Sequence, residues 1–376
     1  PEELEAQRKA AQARGETFRY SGRCRDADVP AHRPHVLRLK IPVTGQTVVR
    51  DLIHGEVIFD HSQLDDWILV RTDGSPTYNF CVVVDDVTMA ITHVIRGNDH
   101  LSNTPKQILC YAALGYPVPA FAHIPMILGP DRSRLSKRHG ATSVLAFREA
   151  GILPEAMVNY LARLGWSHGD QEIFSREELI EHFDLAHVGS AGAVFDRAKL
   201  EWLSNYWMGR MPTDRLAHDL VPFLERAGLG VPADGAWLAR VAESLRERAS
   251  TLVEMVELGR FYWQAPSGYD SAAAQKLFSP EALPRLRLLL GRLEAQDAFD
   301  APSLERLYRG LVAELSLKLV DLAQLTRLAL TGRTASPPIF QVLALLGKAE
   351  TLARLKAAQA AIEASTLPAI PEERPW

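Results

Sequence analysis

Val94-Ile95-Arg96, then Ser102-Asn103-Thr104-Pro105, then Leu114-Gly115, then Phe121-Ala122-His123-Ile124: these runs, in this order, decide the fold class. Residues 90–96 read as a strand. Ser102-Asn103-Thr104-Pro105 opens a helix, with proline near the first helical position and a capping side chain ahead of it. Leu114 ends the helix and Gly115 stops it. Residues 121–128 read as the next strand. Strand, helix and strand at this spacing make a βαβ unit, and hence a parallel sheet.

Working upstream, Cys81-Val82-Val83-Val84 is a short apolar run and predicts a buried strand, with Tyr78 at its start. Asp85-Asp86 then fall at a strand-end turn, where adjacent residues face opposite sides and make no carboxylate cluster. Residues 36–41 and 48–53 are further expected strands. Ahead of them lie a Gly/Arg-rich turn, Ser21-Gly22-Arg23-Cys24-Arg25, and an amphipathic helical pattern already under way at Pro1. Downstream, residues 212–376 are rich in Leu, Ala, Arg and Glu and carry a helical period. Leu304, Leu307, Leu311, Leu315 and Leu319 mark one apolar stripe. Ser336-Pro337-Pro338 restarts a helix that ends near Ala364. The spacing predicts an α/β region followed by an all-α region, divided as residues 1–76, 77–211 and 212–376, with no internal repeat and no pattern of a β-barrel.

A chain of 376 residues exceeds one ordinary core and suits two or three domains. Its 47% hydrophobic and 23% charged residues place it among soluble globular proteins. No apolar run is long enough to span a bilayer, so no membrane role is expected. A net charge of −4 argues against a generic nucleic-acid coat, and leaves room for a protein that is basic only where phosphates lie. Cys24, Cys81 and Cys110 are few and scattered, which predicts no disulfide framework and a cytoplasmic location.

The chemistry begins at Gly129-Pro130-Asp131-Arg132-Ser133-Arg134-Leu135-Ser136-Lys137-Arg138-His139-Gly140. This loop follows a strand and packs four cations into one turn, where they repel one another unless an anion arrives. A nucleoside triphosphate satisfies such a cluster. In acyl adenylation a carboxylate attacks the α-phosphate and pyrophosphate leaves. Cations aimed at the phosphate oxygens lower that barrier. A solvated basic surface loop is the competing reading.

Leu135-Ser136-Lys137 resembles the KMSKS signature of class I aminoacyl-tRNA synthetases. The run from Arg134 through Ala141 and Thr142 resembles its form in bacterial-type glutamyl-tRNA synthetases. So do Val94-Ile95-Arg96-Gly97-Asn98-Asp99-His100-Leu101-Ser102-Asn103-Thr104-Pro105-Lys106-Gln107, the preceding Val84-Asp85-Asp86, and Pro76-Thr77-Tyr78-Asn79-Phe80. Phe195-Asp196, Trp202-Leu203, Ser336-Pro337-Pro338 and Leu346-Gly347-Lys348 extend the match over essentially the whole chain.

The resemblance implies part of a Rossmann-like catalytic domain with an acceptor-stem insertion, a stem-contact segment, and an α-helical anticodon-binding domain. It implies a glutamate–tRNA ligase that activates L-glutamate with ATP and loads tRNA-Glu. Tyr78 would border the amino-acid pocket, or equally be a core aromatic. Arg96 would grip the substrate carboxylate, since a guanidinium fork pairs with a carboxylate and leaves an amide poorly matched. An ion-pairing arginine at a strand end is its other reading. Asp99 and His100 match positions near the ATP ribose and base; the family more often has Glu where this chain has Asn98. Ile127 matches an adenine contact made by backbone, and is also an ordinary buried strand residue. Arg134, Ser136, Lys137 and Arg138 would handle phosphate in a mobile loop, with Lys137 as the catalytic cation. ATP would arrive with Mg²⁺ held by phosphates and water. Arg248 would read the last anticodon base, or be one more solvated arginine on an Arg-rich helix. Trp202, Tyr206 and Trp207 read as core. Some family members bind zinc through a cysteine matching Cys24 and a histidine two residues on, where this chain has Asp26. One Cys and one Asp cannot close a tetrahedral site, so no resident metal is expected.

A His-Ile-Gly-His-type motif, the family's other ATP signature, is not found. The sequence therefore reads as N-terminally truncated, with the parent protein charging tRNA and this chain inactive or nearly so by itself. A monomer is expected. The alternative, a non-catalytic tRNA-binding fragment, would bind tRNA with a steep salt dependence and form no adenylate. A truncated paralogue that modifies tRNA-Asp is discounted, because such proteins lack the lysine loop and the anticodon domain.

Overall fold

The computed structural model describes residues 2–16, 18–27, 34–140 and 143–369. Pro1, the motif positions Ala141 and Thr142, and residues 370–376 at the end of the expected helical region lie outside them. The chain divides into two compact units, Pro1–Gly140 with Leu161–Asp196, and Ala141–Tyr160 with Arg197–Trp376. In chain order the elements up to the loop are α1 (Glu2–Ala13), β1 (Leu37–Arg38), β2 (Gln46–Asp51), β3 (Gly55–Asp60), β4 (Ile68–Val70), α2 (Tyr78–Thr88), β5 (His93–Gly97), α3 (Thr104–Leu114), β6 (Ala120–Ile124) and β7 (Ile127–Leu128). After the loop come α4 (Val144–Glu149), α5 (Pro154–Arg163), α6 (Arg176–His182), β8 (Ala193–Val194), α7 (Arg197–Met208), α8 (Thr213–Arg226), α9 (Gly235–Leu245), α10 (Leu252–Gly259), α11 (Ser271–Leu277), α12 (Leu283–Glu294), α13 (Ala301–Glu314), α14 (Leu319–Thr331) and α15 (Ile339–Glu363).

The first unit is built on a four-stranded mixed sheet of order β3-β2-β6-β5. β2 and β3 form an antiparallel hairpin, while β6 lies parallel to both β2 and β5. β5, α3 and β6 are the expected βαβ unit. In its register Val94 pairs with Phe121 and Arg96 with His123, so Arg96 and His123 project from the same face. Gly115 ends α3 with φ 77°, a left-handed residue that closes the helix through its N–H to the Ala112 and Tyr111 carbonyls. The start of α3 differs from expectation. Asn103 makes no side-chain cap, and a 3-10 turn over Asn98–Asn103 runs directly into the helix.

Two sequence expectations are corrected. Residues 81–84 are helical, inside α2, and Tyr78 opens that helix rather than a strand. Phe80, Val83 and Val87 recur at helical spacing and pack into the core with Ile41, Trp67, Cys110, Tyr111 and Phe121. Four consecutive apolar residues satisfy both periods, and this longer register decides between them. Asp85 and Asp86 therefore sit on a helix, where Asp86 accepts a 3.1 Å hydrogen bond from the Tyr111 hydroxyl. The second correction concerns residues 121–128, which are two strands. β6 stops before Pro125, which has no N–H for the ladder, and β7 pairs in parallel with β8 in a separate sheet. Of the two expected upstream strands, residues 48–53 supply most of β2, and residues 36–41 keep only the short β1, antiparallel to β4.

The second unit is helical, with no strand element among the described residues. α15 packs on α9, α12, α13 and α14. Its helical course is interrupted at Gly347, with φ 77° and ψ 168°, a conformation only glycine takes without strain. The apolar face of α13 is Leu304, Tyr308, Leu311 and Val312. The expected leucine stripe breaks because the helix ends at Glu314 and Leu319 begins α14. Arg354 is buried in this unit. It is held by Glu350 at 2.7 Å and by the carbonyls of Phe261 and Leu330, each at 2.7 Å. Trp202, read as core, is half exposed on α7 at 50%, while Tyr206 and Trp207 are partly buried.

Candidate active site

Arg96 is the centre of the arrangement. It stands near the end of β5 with its guanidinium half-buried. Nε donates to His123 Nε2 at 3.2 Å, and Nη2 donates to Thr104 Oγ1 at 2.8 Å and Gln107 Oε1 at 2.7 Å. Gln107 in turn donates its amide to Asn79 Oδ1 at 2.9 Å, which ties α3 to α2. Burial pushes the Arg96 pKa down, opposed by the nearby Tyr78 and more weakly by Asp86. A guanidinium stays protonated at any physiological pH. Among the described residues no carboxylate pairs with it, and its three acceptors are neutral. A partly buried cation without a counter-ion is costly, and an incoming carboxylate would relieve that cost.

Behind Arg96 lies a pair that sequence reading did not join. His123 and Asp51 have fully buried side chains, and His123 Nδ1 lies 2.6 Å from Asp51 Oδ2. Asp51 also accepts from the backbone N–H groups of Ile53 and His54, each at 2.9 Å, and from that of His123 at 3.1 Å. Burial alone would raise the Asp51 pKa, but His123 and these N–H donors outweigh it and hold it below the ordinary value. Burial depresses His123, against the opposing pull of Asp51, with Arg96 and His54 adding to the depression.

Tyr78 and His100 stand on the open side. The Tyr78 hydroxyl is 3.4 Å from His100 Nδ1, their ring centroids are 5.6 Å apart, and Tyr78 is 50% exposed. Tyr78 is thus a rim residue, and the core-aromatic reading falls. Asp99 folds back over Gly97. A Cβ at Gly97 would lie 2.6 Å from Asp99 Oδ1, so the glycine makes room for that carboxylate. Asp99 Oδ2 pairs with Arg134 Nη1 at 3.0 Å. This ion pair joins the β5 end to the cationic loop within the first unit.

The loop folds back as a hairpin. Leu135 N donates to Ile127 O at 2.9 Å, Gly129 N donates to Ser133 O at 2.8 Å, and Arg132 turns the chain with φ 59°. The Ile127 carbonyl is thereby engaged in the hairpin. Ser136 caps the short turn over Lys137–His139, and the His139 ring reaches back to accept from Ser136 N at 3.1 Å. That ring lies against Gly129, where a Cβ would meet it at 2.9 Å. Asp131 neutralises part of the cluster. It holds Arg138 at 3.0 Å and His139 at 3.3 Å, and Ser133 and His139 lower its pKa to about 2. The expected self-repelling cluster is therefore corrected: Arg134 and Arg138 have acidic partners. Lys137 and Arg132 are exposed and have no ion-pair partner among the described residues, and of these two Lys137 is the one inside the Leu-Ser-Lys core.

Arg248 lies in the second unit. It is not on a helix as expected, because α9 ends at Leu245 and Arg248 sits in the following turn. Its side chain is exposed and unpaired among the described residues. By contrast, Arg246 is tied to Glu243 and to the carbonyls of Met208 and Met211. Arg248 is close enough to Arg327 to add to the lowering of that residue's pKa, which burial dominates. Cys24 is a free, exposed cysteine.

Sequence reasoning missed Asp51, His123, Asp131 and His139. Asp131 and His139 stood inside the quoted loop and could have been read as its counter-charge and its cap. Asp51 and His123 are 72 residues apart, and their only signal was a histidine inside an apolar strand.

Comparison with known proteins gives the family. Residues 1–202 match the family described as "tRNA synthetases class I (E and Q), catalytic domain", and residues 215–359 match "Anticodon binding domain". A glutamate–tRNA ligase of Geobacter sulfurreducens is 51% identical over 364 residues, covering 96% of this chain and 78% of that protein. One from Trichlorobacter lovleyi is 51% identical over 362 residues, covering 96% and 77%. The crystal structure of a glutamate tRNA ligase from Elizabethkingia meningosepticum, in complex with its amino acid, superposes with a TM-score of 0.84 at 31% identity. It covers 96% of this chain and 78% of that one.

Proposed function

The chain belongs to the class I tRNA synthetases of the E and Q group, and from that premise we propose that it is a glutamate–tRNA ligase acting on L-glutamate, ATP and tRNA-Glu. The α-carboxylate of glutamate attacks the α-phosphorus of ATP, the bond to the bridging oxygen breaks, and pyrophosphate leaves. A terminal ribose hydroxyl of the tRNA then attacks the glutamyl carbonyl, and AMP leaves.

Arg96 receives the side-chain carboxylate of glutamate, with Tyr78 as the wall beside it. The observation that carries this reading is the half-buried Arg96 guanidinium whose hydrogen-bond partners are all neutral. Glutamine would leave that cation unpaired, which is the physical basis of a preference for glutamate. Lys137 meets the developing charge on the phosphates, and Ser136, Arg134 and Arg138 line its loop. The two arginines would exchange Asp99 and Asp131 for phosphate oxygens when ATP enters. Asp99 and His100 serve the ribose and base, and Ile127 meets adenine through its backbone. Mg²⁺ would arrive with ATP, held by its phosphates and water. Arg248, exposed and unpaired among the described residues, would read the last anticodon base. Residues 1–76, 77–211 and 212–376 act as acceptor-stem, catalytic and anticodon parts. The protein works as a cytoplasmic monomer, which light scattering after gel filtration would check.

Pyrophosphate exchange into ATP by the full-length protein, with tRNA present and each amino acid in turn, tests the assignment. Exchange is expected with glutamate. Exchange with another amino acid and none with glutamate would overturn it.

A further inference from the structure

We infer that Asp51 and His123 are positioning residues for the amino-acid pocket, fixing Arg96 through its Nε so that the outer edge of the guanidinium is presented to the substrate carboxylate. This rests on the reading that Arg96 binds glutamate. The hydrogen bonds run across three neighbouring strands: Asp51 at the end of β2, His123 on β6 and Arg96 on β5. A carboxylate only accepts, so the 2.6 Å contact requires His123 to carry its proton on Nδ1. Its Nε2 is then a lone pair, and it faces Arg96 Nε–H at 3.2 Å and the Thr104 hydroxyl at 3.0 Å.

The relay has one polarity. Asp51 is saturated by N–H donors, His123 can donate only toward Asp51, and Arg96 donates toward His123. Nε is held by His123 and Nη2 by Thr104 and Gln107, which leaves the edge of the guanidinium beside Tyr78 for the substrate. A buried carboxylate–imidazole pair is an expensive way to fill a sheet, since apolar side chains of similar size would serve packing as well or better. Beyond the backbone N–H groups of Ile53, His54 and His123 that Asp51 accepts from, the pair's polar contacts run through His123 Nε2 to Arg96 and Thr104. Protonating His123 on Nε2 would set a donor against a donor and release Arg96. The groups facing His123 are Asp51, Arg96, His54 and Thr104, and burial keeps the ring neutral among them.

Two measurements test the relay. The first needs no activity. In protein labelled with ¹⁵N-histidine, His123 should show a protonated Nδ1 and an unprotonated Nε2 at neutral pH, and Arg96→Lys should shift the Nε2 resonance. A proton on Nε2, or an Nε2 signal indifferent to Arg96→Lys, overturns the inference. The second is pyrophosphate exchange. His123→Asn keeps a donor for Asp51 but loses the acceptor, and should raise the glutamate KM by about 10-fold with the ATP KM unchanged. His123→Gln offers an oxygen near the Nε2 position and should restore most of that loss. Combining His123→Asn with Arg96→Lys should cost no more than Arg96→Lys by itself. Equal rises in both KM values, or additive losses, would make His123 a packing residue only and overturn the inference. If Arg96→Lys leaves the glutamate KM unmoved, the glutamate-binding role of Arg96 fails, and the resonance shift still decides whether the relay exists.

Discussion

Lys137 differs from Arg134 and Arg138 in having no acidic partner among the described residues, so it can meet phosphate without first breaking an ion pair. In the full-length protein, Lys137→Ala should lower the rate of pyrophosphate exchange by roughly 100- to 1000-fold, the order found when one donor to a developing oxyanion is removed. Rapid-quench measurement of adenylate formation checks this, and a change confined to KM for ATP would contradict it. A second residue-scale effect concerns pH. Both Asp51 and His123 have folded pKa values below their ordinary ones. For His123 the unfolded chain takes up a proton that the fold refuses, so its contribution is complete above about pH 6.5 and is lost as pH falls toward the folded value. Asp51 contributes fully above about pH 4, and that contribution is lost as pH falls through its depressed value. Acidification from pH 7 to 5 should therefore lower the melting temperature of the wild type more than that of His123→Gln. Superimposable melting curves for the two across that range would refute it. At this scale the sequence showed the cations and the arginine, because each is visible in its own short run. It concealed the Asp51–His123 pair, because pairing depends on which strands lie side by side.

Among the elements, β5 and the turn after it place Arg96, Gly97, Asp99 and His100 within five residues, and the geometry depends on the missing Cβ at Gly97. Gly97→Ala would drive a methyl group into the Asp99 carboxylate, now 2.6 Å from that position, and displace it from Arg134. The ATP KM should rise, by on the order of 10-fold, while the melting temperature holds, because the atom that must move is the end of a flexible side chain. Titration with a fluorescent ATP analogue measures the change, and unchanged affinity would show that Asp99 takes no part. The βαβ unit was legible here because Pro105 and Gly115 mark both ends of α3 and the flanking strands are β-rich. α2 was misread because Cys81-Val82-Val83-Val84 suits either period when taken without Phe80 and Val87. The split between β6 and β7 was signalled by Pro125, and the reading carried the strand through it.

At the scale of the whole molecule the net charge is −4, so tRNA must be met through local cations. Arg248, exposed and unpaired among the described residues, is the one proposed to do so. Arg248→Gln should weaken binding of tRNA-Glu and relax its preference over tRNA-Gln, by about 1–3 kcal/mol if Arg248 reads a base edge. A loss equal for both tRNAs, with a shallower salt dependence, would point to a phosphate contact instead. The division into a mixed-sheet unit and a helical unit was legible as a change of hydrophobic period along the chain. The grouping of residues 141–160 with the helical unit was not, because no composition shift marks those positions. The central claim is that Arg96 reads the side-chain carboxylate of glutamate, and steady-state pyrophosphate exchange with Arg96→Ala tests it most directly. The account predicts a glutamate KM raised by roughly 10- to 100-fold, the worth of a charge-assisted hydrogen bond, with the ATP KM unchanged. A glutamate KM equal to that of the wild type would contradict it.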